Sequence, residues 1–150
     1  NGGTGGCRQN QSNRPFQLQQ AQVEKVLKNA RIKPASLQIE LHVLLQQKEL
    51  VEFCQSNGIV VVAYSPLGSP GFNNFMQKHG FPFWIEQNVV VIPKSTNPAR
   101  LKQNMGALSF SLDSDDIEQL KALDMGEEGR IFNMDFLKGM KDHPEYPFVK

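Results

Sequence analysis

The sequence has little of what marks a secreted, membrane-bound or nucleic-acid-binding protein. Its 150 residues include only two cysteines, Cys7 and Cys54, so we expect no disulfide framework and a reducing, cytoplasmic setting. No apolar run approaches the roughly 20 residues of a membrane-spanning helix. The 16 Lys and Arg residues nearly balance the 15 Asp and Glu residues, so the charge predicts no nucleic-acid partner.

The rest of the composition is typical of a globular chain with one core. Hydrophobic residues make up 39% and charged residues 21% of the sequence. The first 15 residues are rich in glycine and polar side chains, which predicts a flexible leader before a domain over residues 16–150. The chain is too short for a complete (β/α)₈ barrel, which takes roughly 250 residues.

Hydrophobic periodicity predicts alternating helices and strands, and therefore an α/β fold with a parallel sheet. The strands over residues 59–64 and 89–92 are rich in β-branched residues, so we expect them to be buried on both faces. Residues 127–150 are predicted to form a surface loop. The remaining predicted elements are a strand at 36–41 and helices at 17–30, at 46–57, from Asn97 with Leu101 inward, and from about Asp113 to Gly126.

Parallel sheets bind ligands beyond the carboxyl ends of their strands, and the loop after Ile92 carries suitable groups there. Lys94, Ser95 and Thr96 precede a predicted helix, and Arg100 lies about one turn inside it. A helix N-terminus with added cations suits a phosphate monoester. The same residues also fit a plain helix cap with solvated cations, and the pattern alone leaves both interpretations open.

The loop after Tyr64 is the second candidate. An aromatic ring at a strand end can stack on a flat heterocycle, and Ser65 and Ser69 could bind phosphate oxygens. The alternative is a tyrosine packed above an ordinary turn. Neither the three histidines nor the cysteines show metal-ligand spacing, so we predict no metal site. Cys54 lies on the apolar face of its helix and is predicted to be a buried thiol.

Two motifs at separate strand ends resemble the C-terminal half of aldo-keto reductases. They are residues 61–69 (VVAYSPLGS) and 90–95 (VVIPKS), the latter followed by Pro98-Ala99-Arg100. Residues 38–42, the helix over 50–57 and the tail segments 129–132 and 143–148 resemble that family in the same order. The resemblance implies a partial (β/α)₈ barrel that carries only the C-terminal strands and helices. It also implies an oxidoreductase that uses NADPH to reduce small aldehydes and ketones.

The resemblance also implies roles for individual residues of a cofactor site. Tyr64 would stack on the nicotinamide ring, and Gln38 would bind its carboxamide. The coincidence of the predicted anion loop with the family's 2′-phosphate site favours NADPH over NADH. The other implied contacts are Ser65, Leu67 and Ser69 at the pyrophosphate, Lys94, Ser95 and Thr96 at the 2′-phosphate, Arg100 at phosphate and adenine, and Gln103 and Asn104 at adenine.

The resemblance assigns no catalytic residue to this chain. The family's Asp, Tyr, Lys and His tetrad belongs to the first half of the barrel, to which no segment here corresponds, so we expect the isolated chain to be inactive. Two functions stay open: a part of an NADPH-dependent carbonyl reductase, or a non-catalytic NADPH-binding fragment or inert remnant. Three barrel strands leave open edges, which predicts self-association or association with other barrel halves.

Overall fold

The computed structural model describes residues 14–68 and 82–132, together with Gly139, Asp142 and Tyr146, and the side chains of the first helix from Gln20 onward. The predicted order of helices and strands is confirmed, and residues 1–13 of the predicted leader lie outside the described residues. The elements are α1 (Arg14–Asn29), β1 (Ser36–Glu40), α2 (Lys48–Ser56), β2 (Val60–Tyr64), α3 (82–86), β3 (Val90–Val91), α4 (Pro98–Gly106) and α5 (Ser114–Lys121).

The three strands form one parallel sheet in the order β1-β2-β3. Leu37 pairs with Val61 and Ile39 with Ala63, so these four side chains share the face that meets the helices. Val61 and Ala63 are fully buried there. The parallel sheet with its crossover helices is the architecture of a partial (β/α)₈ barrel.

The opposite face of the sheet is open. Val60 and Val90 are each 49% exposed, and Ile92 is 45% exposed. The prediction that both strands are buried on both faces is therefore wrong. The β-branched runs do form strands, but among the described residues only the tail segment 130–132 covers part of this face, at the carboxyl ends of β1 and β2. The predicted strand over 89–92 is also shorter, since only Val90–Val91 is strand.

Some helical side chains that were predicted to be buried are buried in the structure, and others are exposed. Cys54 is fully buried in α2, so its predicted burial is confirmed, and Phe83 and Trp84 of α3 are each 2% exposed. Burial also raises the pKa of the Cys54 thiol, which keeps it protonated. The prediction that Leu101 faces inward is wrong, because its side chain is 46% exposed and α4 has no buried residue.

The loop between β1 and α2, residues 41–47, is a buried platform for the C-terminal segment. Gln46 donates from its backbone N–H to Asp124 (3.1 Å) and from its side chain to the Leu120 carbonyl (2.8 Å) at the end of α5. Leu44 accepts a hydrogen bond from the Met125 amide (2.9 Å), and a Cβ added at Gly129 would collide with the same carbonyl. The platform therefore holds the chain from α5 onward.

The prediction that residues 127–150 form a surface loop is wrong for two of the residues that the structure describes, because their side chains are buried. The Arg130 side chain is 5% exposed and Tyr146 is 4% exposed. Their mixed polar and aromatic sequence looks like a solvated loop, but the buried platform supplies partners for it. Residues 133–138 and most of the tail beyond them lie outside the described residues.

Replacing Leu120 by Ala should lower the free energy of unfolding by about 2–5 kcal/mol, because its fully buried side chain leaves a cavity. The matched change Leu101→Ala, in a helix but 46% exposed, should cost no more than about 0.5 kcal/mol. Urea denaturation followed by circular dichroism measures both. Equal losses in the two variants would contradict the core described here.

Candidate functional site

The carboxyl ends of β2 and β3 bring the two predicted loops side by side. β2 ends at Tyr64, and the Ile92 amide donates to the Ala63 carbonyl (3.2 Å), so the ladder continues one residue past β3. Lys94 follows two residues later and is exposed. The aromatic ring and the cationic loop thus start from neighbouring strands at one edge of the sheet, where ligands of parallel sheets bind.

A tight turn follows Tyr64. The Gly68 amide donates to the Ser65 carbonyl (2.8 Å), and Ser65 has a φ of 54°, in the left-handed region that costs a non-glycine residue about 1–3 kcal/mol. Such strain is often found at ligand sites. Ser65 and Leu67 are half-buried within this turn. Ser69, predicted to bind pyrophosphate, lies outside the described residues.

The loop before α4 forms the helix cap that was one of the two interpretations of the sequence, and the phosphate site stays a prediction. Asn97 is the N-cap, as predicted, and its Oδ1 accepts from the amides of Ala99 (2.9 Å) and Arg100 (3.3 Å). Ser95 Oγ accepts from the Asn97 amide (3.1 Å). The cap uses hydroxyl and amide groups and leaves the two cations out: Lys94 and Arg100 are exposed and make no ion pair within the described part of the chain.

The remaining predicted residues lie on two elements. Thr96 and Gln103 are exposed beside and on α4. Asn104, also on α4, has a buried side-chain Nδ2 without a hydrogen-bond partner in the described residues. Gln38 is exposed in the middle of β1 and pairs in register with Val62, on the open face of the sheet. Gln38 and Tyr64 therefore share a face of the sheet. Gln103 and Asn104 lie on α4, the helix that follows the loop with Lys94.

A buried polar cluster at the carboxyl end of β1 was missed at the sequence level. We define the Glu40 cluster as Glu40, His42, Gln47, Glu127 and Arg130. Glu40, His42 and Gln47 are each 1% exposed. Alternation along residues 36–41 could have indicated Glu40 as a carboxylate in a strand. Its hydrogen-bond partners in the tail, however, are 91 and 92 residues away. Such long-range pairing leaves no local signal.

The Glu40 carboxylate ties the C-terminal segment to the sheet. It accepts hydrogen bonds from the amides of Ile131 (2.7 Å) and Phe132 (3.0 Å), and its Oε1 lies 3.1 Å from His42 Nε2. Burial alone would raise the pKa of Glu40, but the hydrogen bonds from His42 and from the two amides outweigh it and lower the pKa below 4.5. Glu40 is therefore a buried, ionised group.

Tyr64 is the point where this cluster meets the predicted ligand edge. Glu40 pairs with Tyr64 in register, and the Phe132 ring packs against Tyr64 with centroids 5.9 Å apart at 65°. Burial first and the Glu40 charge second raise the Tyr64 pKa, so the phenol stays neutral near pH 7. The half-buried ring is an apolar platform with a hydroxyl at its edge.

Comparison with known proteins gives this arrangement a family. The aldo/keto reductase family model matches residues 17–83. The chain is 34% identical over 155 residues to aldo-keto reductase family 1 member A1 of Gallus gallus, covering 85% of this chain and 47% of the relative. It is 36% identical over 126 residues to a probable NAD(P)H-dependent D-xylose reductase of Aspergillus clavatus, covering 66% and 38% respectively.

A solved structure agrees. The silkworm Bombyx mori aldo-keto reductase, crystallised with NADPH, superposes with a TM-score of 0.70 at 28% identity, covering 86% of this chain and 45% of the silkworm protein. The chain belongs to the aldo-keto reductase family. It spans about half the length of the curated relatives it matches. No helix in the described part of the chain is long and apolar enough to cross a membrane.

The residues present fit a phosphorylated dinucleotide. Asn104 offers a buried amide donor that lacks a partner in the described residues, which suits a ring nitrogen of adenine. Lys94 and Arg100 offer charge that no described carboxylate neutralises, which suits a phosphate. Tyr64 offers a neutral, half-buried ring, which suits a flat heterocycle.

The Glu40→Gln variant should lose about 1.5–3 kcal/mol of stability at pH 7, because one amide of the tail would face a side-chain NH₂ donor. The folded pKa of Glu40 is lowered, so its stabilisation is present above pH 4.5 and is lost as pH falls through the folded pKa. The difference between the two proteins should therefore shrink in acid. Urea denaturation at several pH values measures it.

Glu118→Gln is the control for this pH dependence. Its pKa is also lowered, by the hydrogen bond from Lys121, but the Glu118 side chain is 72% exposed. Exposed ion pairs contribute little to stability, so this variant should track the unmodified protein at every pH. A constant gap between Glu40→Gln and the unmodified protein down to acid would refute the ionised state of Glu40.

Proposed function

We propose that the chain carries the cofactor-binding part of an NADPH-dependent reductase of small aldehydes and ketones. The observation that carries the proposal is the juxtaposition at one sheet edge of the Tyr64 ring and the loop with Lys94, which leads into the capped helix of Arg100. The family membership and a relative crystallised with NADPH support it. We also propose that the protein is soluble and located in the cytoplasm.

Each end of the cofactor has its own group of residues in this proposal. Tyr64 and Gln38 take the nicotinamide and its carboxamide, and Ser65, Leu67 and Ser69 follow the pyrophosphate. Lys94, Ser95, Thr96 and Arg100 hold the 2′-phosphate, with Gln103 and Asn104 at adenine. The bound NADPH would supply a hydride to the carbonyl carbon of the substrate. The residues of this chain bind and orient the cofactor, and none of them is assigned to acid–base catalysis.

Charge decides the preference between the two nicotinamide cofactors. NADPH differs from NADH by a phosphate that carries about two negative charges near pH 7. Lys94 contributes a point charge and Arg100 a planar fork of donors, and hydrogen bonds between such ions are roughly twice as strong as neutral ones. The chain should therefore bind NADPH more tightly than NADH, and added salt should weaken NADPH binding.

Calorimetric titration of the 150-residue chain should show saturable binding that favours NADPH over NADH. Lys94→Ala or Arg100→Ala should weaken NADPH binding about tenfold or more, the loss expected for one charge-assisted hydrogen bond. NADH binding should change little in Lys94→Ala. Arg100→Ala should weaken NADH binding less than NADPH binding, because Arg100 is predicted to contact adenine as well as the phosphate.

Lys102→Ala is the matched control, because Lys102 is an exposed lysine of α4 outside the predicted contacts. It should bind NADPH as the unmodified chain does. Equal weakening by Lys102→Ala and Lys94→Ala would indicate a general charge effect. Absence of saturation with either cofactor would rule out the cofactor site.

The open face of the sheet favours a second candidate function, a non-catalytic piece that associates with other barrel halves. Val60, Val90 and Ile92 expose apolar surface on this face, and β1 and β3 each pair on one side only within the described residues. Exposed apolar patches and unpaired strand edges are sites of association. We propose a second copy of this chain as the partner, since a parallel sheet with two open edges offers both copies the same surfaces.

Analytical ultracentrifugation should show a concentration-dependent dimer or larger species. Val90→Lys should shift the equilibrium towards monomer, because it places a charge on the open face, beside Val62 of the central strand. Met105→Lys, which changes a 68% exposed residue of α4, should leave it unaltered. A monomer at all concentrations, with association only on adding an intact reductase, would replace the second copy by a complementary barrel half.

A further inference from the structure

The Glu40 cluster lies directly beside Tyr64, whose ring is predicted to stack on nicotinamide. Glu40 is the last residue of β1 and pairs in register with Tyr64, the last residue of β2. The Leu41 amide donates to the Tyr64 carbonyl (3.3 Å), so the two strand ends are held together by the backbone as well. A substitution at Glu40 therefore changes the immediate surroundings of Tyr64.

The carboxylate fixes two consecutive amides of the tail. Oε1 accepts from Ile131 N (2.7 Å) and Oε2 from Phe132 N (3.0 Å), and a carboxylate can satisfy both because it only accepts. Arg130 reinforces the same segment: its guanidinium binds both Glu127 oxygens (2.6 Å each) and lies 3.9 Å from Glu40 Oε2. The backbone of residues 130–132 thus has one defined position.

Gln47 closes the cluster from the platform side. Its Nε2 donates to the Glu40 carbonyl (2.7 Å), and its Oε1 accepts from Arg130 (3.4 Å). Gln47 also has a φ of 42°, a strained conformation for a non-glycine residue that only firm surroundings maintain. The loop after β1 and the tail therefore both bind Glu40: Gln47 binds its backbone carbonyl, and the two tail amides bind its carboxylate.

The tail delivers the Phe132 ring to Tyr64. The two rings meet edge to face, with centroids 5.9 Å apart at 65°, in the geometry that aromatic pairs prefer. The Phe132 ring is 43% exposed, and the amide of the same residue is the one that Glu40 holds. The ring contact therefore joins the Glu40 carboxylate, through Phe132, to Tyr64.

We propose that Glu40 is a positioning residue, which sets the Tyr64 ring for nicotinamide stacking by holding the Ile131 and Phe132 amides and thereby the Phe132 ring. This inference rests on the proposed cofactor site and deepens it. It divides the site in two: the nicotinamide end depends on Glu40, Phe132 and Tyr64, whereas the 2′-phosphate end depends on Lys94 and Arg100. Each end can then be weakened without the other.

The test compares two ligands on the full chain by calorimetry. NADPH uses both ends of the site, and 2′,5′-ADP carries the 2′-phosphate but lacks the nicotinamide. Phe132→Leu and Glu40→Gln should each weaken NADPH binding about threefold to tenfold, the value of one aromatic pair, and leave 2′,5′-ADP binding unchanged. Lys94→Ala should weaken both ligands.

Phe132→Tyr is the conservative control, because it keeps the ring and should bind NADPH as the unmodified chain does. Phe132→Leu changes a partly exposed side chain, so it tests the proposal even where Glu40→Gln does not fold. Equal weakening of NADPH and 2′,5′-ADP by Phe132→Leu, or no weakening of NADPH, would overturn the positioning role. If the unmodified chain does not bind 2′,5′-ADP, the cofactor site itself fails, and this inference fails with it.

Discussion

One buried carboxylate organises the end of the sheet at which we propose the cofactor site. Glu40 is almost fully buried, and an unpaired carboxylate there would cost several kcal/mol, so its acceptor sites must be filled. They are filled by two amides of the C-terminal segment and by His42. The demand for partners brings residues about 90 positions apart together at the end of β1, and it brings the Phe132 ring to Tyr64.

One face of the sheet is buried in the core, and most of the other face is exposed. Leu37, Ile39, Val61 and Ala63 meet the helices and form the core, whereas Val60, Val90 and Ile92 lie open. In a closed (β/α)₈ barrel the second face points to the packed interior. The chain spans about half the length of its relatives, and this open face is the surface at which we propose that a second copy associates.

The sequence predicted much of the fold because its signals are local. The β-branched run over 59–64, the Asn97-Pro98 helix start and the apolar stripe of α2 each depend on residues within one turn or strand. The exposure of the second sheet face and of Leu101 could not be predicted, since their burial depends on layers that the described chain does not supply. The Glu40 cluster was missed for the opposite reason: Arg130 resembles a solvated cation in the sequence, and only the fold brings Glu40 of β1 and Gln47 of the platform close to it.

The most direct measurement is hydrogen–deuterium exchange of the full chain with and without NADPH. If NADPH binds as proposed, exchange should slow in three separate segments: the turn after Tyr64, the loop and helix over residues 94–104, and the tail amides of Ile131 and Phe132. Protection of the tail together with residues 94–104 would link the Glu40 cluster to the proposed cofactor site. Unchanged exchange in all three segments at saturating NADPH would contradict the proposed site.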